Sequence, residues 1–238
     1  MIYTFESRVR YSEIDEHAQM TVVSLVKYLQ DCCIFHGEDV GVGVQYNMER
    51  GNAWIVADLQ MQIYEYPKFG DRIRVRTWAP GFRGMIGQRD FRVEREDGTM
   101  LAEAASEWVF WDFNKTRPVR IPDDQYAYGI EPDEKPTRDL GHRKIRTKAE
   151  MREEESFRIQ EYHLDTNKHV NNAEYLRLAA RYLPADFEIH HLRLEFKKQA
   201  VLGDVIVPTV SDLQEGNAYY VKLTDPDGDS YFTAEFIS

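Results

Sequence analysis

The sequence predicts an α+β chain built twice, each half a helix followed by antiparallel strands. Three observations carry this. A stretch near the start returns 150 residues later, each copy runs into a segment of helical period, and after each helix the apolar period drops to 2. With 238 residues, 42% hydrophobic and 13% aromatic, the chain has the composition of a globular protein with room for two small domains.

The repeat opens with Val9-Arg10-Tyr11-Ser12-Glu13-Ile14-Asp15 against Ile159-Gln160-Glu161-Tyr162-His163-Leu164-Asp165. In the first half Leu25, Tyr28, Leu29, Cys32 and Cys33 fall at i, i+3, i+4, i+7 and i+8. Tyr175, Leu178, Ala179, Tyr182 and Leu183 do the same in the second, which is one face of an α-helix. Thr21 and Asn171 stand where N-caps belong, Glu174 three residues on suggests a capping box, and Pro184 stops the second helix. Strands follow. Ala53, Ile55, Ala57, Leu59, Met61 and Ile63 alternate, as do Ile73, Val75 and Thr77, and then Leu192, Leu194 and Phe196. Asp97-Gly98 and Asp227-Gly228 read as hairpin turns, and Gly70-Asp71 matches Gly203-Asp204. The offset falls from 150 at the helices to 133 at these Gly-Asp pairs, so the first half has the longer helix-to-sheet connection. The expected layout is a domain over 1–125, a charged, proline-bearing linker over 126–153 and a second domain over 154–238. A long helix wrapped by an antiparallel sheet, present twice, looks like a tandem hot-dog fold.

Thirty basic against 41 acidic residues leave a net charge of −11, which argues against nucleic acid and anionic membrane surfaces as partners. Cys32 and Cys33 are adjacent, which does not suit disulfide geometry, and with no signal-like start they point to a reducing, cytoplasmic compartment. No membrane insertion is expected. Neither is a cofactor or a metal, because the adjacent His190 and His191 would point to opposite faces of a strand.

The candidate chemistry lies just before the second helix. Asp165, Asn167 and His169 sit at i, i+2 and i+4, a spacing that in an extended stretch turns all three side chains one way. A carboxylate, an amide and an imidazole beside a helix N-terminus could activate water and hold a developing oxyanion. The plainer alternative is architectural, with Asp and Asn as turn and cap residues and His169 as a structural histidine. At the same places the first half has Asp15, His17 and Gln19, so architecture alone explains the full triplet less well.

The string Asp165-x-Asn167-x-His169-Val170-Asn171-Asn172, followed by Tyr175, resembles the signature of the acyl-acyl carrier protein thioesterases of plants and bacteria. Arg10-Tyr11-Ser12-Glu13-Ile14, Tyr28-Leu29-Gln30 and His190-His191 with Leu194 to Lys198 extend the likeness over nearly the whole chain. The resemblance implies hydrolysis of a fatty acyl thioester, with Asp165, Asn167 and His169 at a site in the second domain. It implies that the acyl chain lies between helix and sheet in the first, where Met20, Leu25, Tyr28, Leu29 and Trp54 are the candidate lining. Plant members carry a Glu-Cys pair where this chain has Gln199 and Ala200. A cysteine nucleophile is excluded at that position. Asp165 is then the remaining general base or nucleophile, Asn167 would hold the thioester or water, Gln199 would bond a water or the Asn167 amide, and His169 would orient or polarise. Which group takes the proton stays open.

A basic run through Arg143, Lys144 and Arg146 is either a solvated linker or a docking patch for an acidic carrier protein. The expected function is thus a thioesterase acting on fatty acyl-acyl carrier protein. An acyl-coenzyme A thioesterase and a non-catalytic acyl-thioester binding protein are the alternatives. Acyl chain length and oligomeric state, a homodimer included, are left open by the sequence.

Overall fold

The computed structural model describes residues 1–131, 133–134 and 144–238. The chain divides into two compact units, residues 1–142 and 143–238. In the first unit, β1 (Tyr3–Arg8) leads to α1 (Val22–Asp39) and the short α2 (Val44–Glu49). Then come β2 (Asn52–Ile63), β3 (Arg72–Arg83), β4 (Ile86–Arg95), β5 (Met100–Asp112) and β6 (Arg117–Pro118). The antiparallel sheet runs β1-β3-β4-β5-β2, with β6 on β5.

Helix α1 forms where the period placed it. Thr21 caps it by accepting the Ser24 N–H on its Oγ1 at 3.1 Å. The whole stripe of Leu25, Tyr28, Leu29, Cys32 and Cys33 is buried, and the Cys32 Sγ points its proton at the Val75 carbonyl of β3. Facing it are Ile73, Val75, Phe91 and Val93, all at 2% exposure or less, which makes this the core of the unit.

Strand β2 departs from simple alternation. Val56 pairs with Trp108 and Asp58 with Glu107, so Ala57 is an extra residue, a β-bulge. The bulge swaps faces. Leu59, Met61 and Ile63 keep the expected side, but beyond it Trp54 and Val56 take that side in place of Ala53 and Ile55.

The second unit repeats the plan with fewer residues. It comprises β7 (Met151–Glu153), β8 (Phe157–Arg158), α3 (Asn172–Ala180), β9 (His191–Phe196), β10 (Val205–Ser211), β11 (Ala218–Thr224) and β12 (Ser230–Ile237). The order β9-β12-β11-β10 mirrors β2-β5-β4-β3, and β7 and β8 both pair along β10, as β1 pairs along β3. This interrupted edge breaks opposite Pro208, which has no N–H to donate, and the Glu154 N–H reaches the Pro208 carbonyl instead. The segment expected to be linker therefore carries β7 at its end.

The expectation of two long helices needs correction. Helix α1 has 18 residues and α3 has 9. Tyr182 and Leu183 lie beyond α3, in a tightened turn whose N–H groups reach back three residues to Ala179 and Ala180. Pro184 is the reason, since it disfavours the helical conformation for Leu183 and offers no N–H. Among the described residues no helix is long and apolar enough to cross a membrane.

Candidate active site

The segment from Gln160 to Asn171 is folded by hydrogen bonds most of which recur in the first unit. A 3-10 turn at Glu161–His163 is closed by the Gln160 N–H, which donates to the His163 Nδ1 at 3.0 Å. In the first unit the Arg10 N–H donates to Glu13 at 2.8 Å. Asp165 follows. Its Oδ1 accepts the N–H of Asn167 at 2.8 Å and of His169 at 3.2 Å. Asp15 accepts from His17 and Gln19 at 2.9 and 3.0 Å. Both turns pass through a left-handed residue, Lys168 at φ 62° and Ala18 at φ 59°.

The extended arrangement expected for Asp165, Asn167 and His169 is therefore replaced by a tight turn. Its cause is the Asp165 carboxylate, which gathers two backbone N–H groups that an extended strand would send apart. The turn still brings the three residues together. Asn167 is exposed at its tip, Asp165 and His169 are half-buried, and the His169 Nδ1 is buried without a hydrogen-bond partner among the described residues.

Gln199 is brought alongside. His169 bridges Val201 in antiparallel fashion, and the Val170 N–H donates to the Ala200 carbonyl at 2.9 Å. Gln199 is exposed, while Ala200 and the Tyr175 ring are buried. The Tyr175 hydroxyl accepts the Ala200 N–H at 2.7 Å and donates to the Lys198 carbonyl at 3.4 Å. Burial pushes the Tyr175 phenol well up, so it stays protonated and keeps donating. Lys198 is held separately by Asp225 at 2.6 Å and by the face of Tyr231 at 5.0 Å. Asn171 caps α3 by accepting the Ala173 N–H at 2.9 Å, which puts the helix N-terminus two residues after His169.

The candidate acyl-lining residues belong to the first unit. Met20 and Leu25 are fully buried, Tyr28 and Leu29 nearly so. Tyr28 is more polar in its bonding than expected, since its hydroxyl reaches Glu13 at 2.9 Å and Ser7 at 3.1 Å. Trp54 sits in an aromatic cluster with Phe82 and Phe110, and its indole N–H donates to the buried Gln125 at 2.8 Å. Gly87 of β4 makes room for it, because a Cβ there would lie 2.9 Å from the indole. Of the basic run, Arg143 lies outside the described residues. Lys144 and Arg146 are exposed, on either side of an Ile145 N–H that donates to Glu195 at 2.6 Å. Among the described residues no group of three potential metal ligands occurs.

Two features escaped the sequence reading. One is the bonding of the Tyr175 hydroxyl, since the sequence shows Tyr175 only as a position in the helical stripe and at the end of the signature. The other is a buried polar cluster under α1. His36 is fully buried, and its Nδ1 lies 3.1 Å from the Arg89 guanidinium, which also donates to Thr77 at 3.2 Å. A guanidinium only donates, so Nδ1 accepts and the ring proton sits on Nε2. Burial and the neighbouring Arg89 push the His36 pKa down to about 3.

Comparison with known proteins decides the family. The model of the acyl-ACP thioesterase N-terminal domain matches residues 1–128, and that of the C-terminal domain matches residues 146–234. The chain belongs to the acyl-ACP thioesterase family. A chloroplastic acyl-[acyl-carrier-protein] hydrolase of Cuphea viscosissima is 26% identical over 92% of this chain and 57% of its own. A chloroplastic oleoyl-acyl carrier protein thioesterase of Arabidopsis thaliana is 24% identical over 92% of this chain and 65% of its own. This acyl-ACP thioesterase family member thus spans under two thirds of the length of those relatives. Two solved structures share its tandem hot-dog fold. An acyl-ACP thioesterase from Bacteroides thetaiotaomicron superposes with a TM-score of 0.88 at 20% identity, covering 99% of this chain and 97% of that one. The 12:0-ACP thioesterase of Umbellularia californica gives 0.85 at 19%, covering 99% and 96%.

Proposed function

We propose that this chain hydrolyses fatty acyl-acyl carrier protein, water entering at the thioester carbonyl and the free fatty acid and the carrier protein thiol leaving. The observation that carries the reading is the comparison between its own two repeats. Both hold the same hydrogen-bonded turn, and only the second has an amide at its tip, Asn167, with the imidazole of His169 two residues on; the first has the two groups in the reverse order, as His17 and Gln19. Family membership over both halves supports the same reaction.

In this reading the turn is the scaffold of the site. One oxygen of Asp165 is engaged by the backbone, which orients the carboxylate. Together with His169 it accepts the proton of the attacking water. Asn167, at the tip, and Gln199, on the adjoining loop, are amides suited to hold water or the thioester carbonyl. The N-terminus of α3 favours negative charge developing beside His169. Cys32 and Cys33 take no part, since burial raises both thiols, Cys33 to about 11.

The acyl chain would lie in the first unit against Met20, Leu25, Tyr28, Leu29 and Trp54, and the exposed Lys144 and Arg146 would meet the acidic carrier. The test is a panel of acyl groups of increasing length, each presented on carrier protein and on coenzyme A. Faster turnover per encounter on carrier protein is expected. Equal or better rates on coenzyme A, or no hydrolysis of either, would reject the proposed substrate.

A further inference from the structure

We propose that Tyr175 is a positioning residue for this reaction, its hydroxyl holding the backbone on both sides of Gln199 against the Asp165–His169 turn. The inference rests on the thioesterase reading for its consequence and on hydrogen bonds for its geometry. The hydroxyl takes the N–H of Ala200 at 2.7 Å and gives its proton to the carbonyl of Lys198 at 3.4 Å, the two peptide groups that flank Gln199. The Ala200 carbonyl in turn accepts the Val170 N–H, one residue from His169. One buried oxygen on α3 therefore links the loop of Gln199 to the turn of Asp165, Asn167 and His169.

The first unit shows that the architecture does not need this bond. Leu25 stands where Tyr175 does, and Pro67 where Ala200 does. Leucine has no hydroxyl and proline no N–H, so nothing is left unsatisfied. Other bonds of the loop recur in both units. The Met20 N–H donates to the Pro67 carbonyl at 2.7 Å, as Val170 does to Ala200 at 2.9 Å. Asp71 accepts the Lys68 N–H and Asp204 the Val201 N–H, each at 3.0 Å. Two simple residues build the loop in the half without the triplet, and a hydroxyl and an amide replace both in the half that has it. The tyrosine ring already packs on Phe232 at 5.6 Å and against Phe196 at 6.3 Å, and neither contact uses the hydroxyl.

Tyr175→Phe keeps the ring and removes only the hydroxyl. Assayed well below its melting temperature, it should lose about tenfold or more in kcat on acyl-acyl carrier protein with KM within about twofold, as a loss of orientation predicts. Amide hydrogen exchange at Ala200 should rise about tenfold while the amides of α3 keep their rates. Ala200→Pro removes the same bond from the other side, and the double variant should be no slower than the worse single one. An unchanged kcat with a released Ala200 amide would overturn the proposal, as would losses that simply multiply in the double variant. Should Ala200→Pro fail to fold, Tyr175→Phe decides alone. A wild-type protein inert on every acyl thioester would overturn the function and the positioning role with it. Unchanged Ala200 exchange in Tyr175→Phe would overturn the contact itself.

Discussion

Asp165 has two tasks that one substitution can separate. Its Oδ1 holds the turn by accepting two N–H groups, and its charge serves the proposed chemistry. Alanine would remove both. Asp165→Asn keeps an acceptor oxygen, so the expected outcome is a kcat at least about a hundredfold lower with the fold intact. Asp15→Asn, on the same turn in the first unit, should leave kcat near wild type; equal losses would reject a single site. The residue types at 165, 167 and 169 were legible in the sequence, but their geometry was not. Periodicity reads elements, whereas this turn is set by one carboxylate capturing local N–H groups. His36 belongs to the same scale. Its folded pKa of about 3 lies below the ordinary histidine value of 6.5, so its stabilising effect is complete above pH 6.5 and is lost as pH falls towards 3. The slope from this one group approaches about 1.4 kcal/mol per pH unit. His36→Gln should flatten the acid limb of a chemical-denaturation series between pH 6 and 4. An unchanged limb would mean that other groups govern it.

At the scale of elements, the helix starts and the strand faces outside the first part of β2 could be read from the residues, because caps and alternation are local signals. The helix end in the second unit could be placed only from Pro184, since the apolar stripe continues past it through Tyr182 and Leu183. The bulge at Ala57 left no mark in the alternation, and it decides which side Trp54 takes. The cap of α3 is open to test. Asn171→Ala removes the acceptor of the Ala173 N–H and should cost about 1 kcal/mol in urea denaturation. In a helix of 9 residues the cap is a larger share of the total than in one of 18, so Thr21→Ala in α1 should be felt less. The reverse order would show that tertiary packing, not the cap, sets the start of α3.

At the scale of the whole molecule, a net charge of −11 should repel an acidic carrier protein, so the proposed substrate requires local basic groups to overcome it. Lys144→Glu with Arg146→Glu should raise KM for acyl-acyl carrier protein severalfold at low salt, less at high salt, and leave a short artificial thioester unaffected. Equal effects on both substrates would show that the segment has no docking role. The duplication itself has a further consequence. Two copies that fold by the same bonds but differ in equipment make the first a blank socket. His17→Asn, Gln19→His, Leu25→Tyr, Tyr66→Gln and Pro67→Ala would furnish it with the fittings of the second. On the proposed reading, the parts a catalytic turn needs can thus be assembled on its twin within one polypeptide, one side chain at a time.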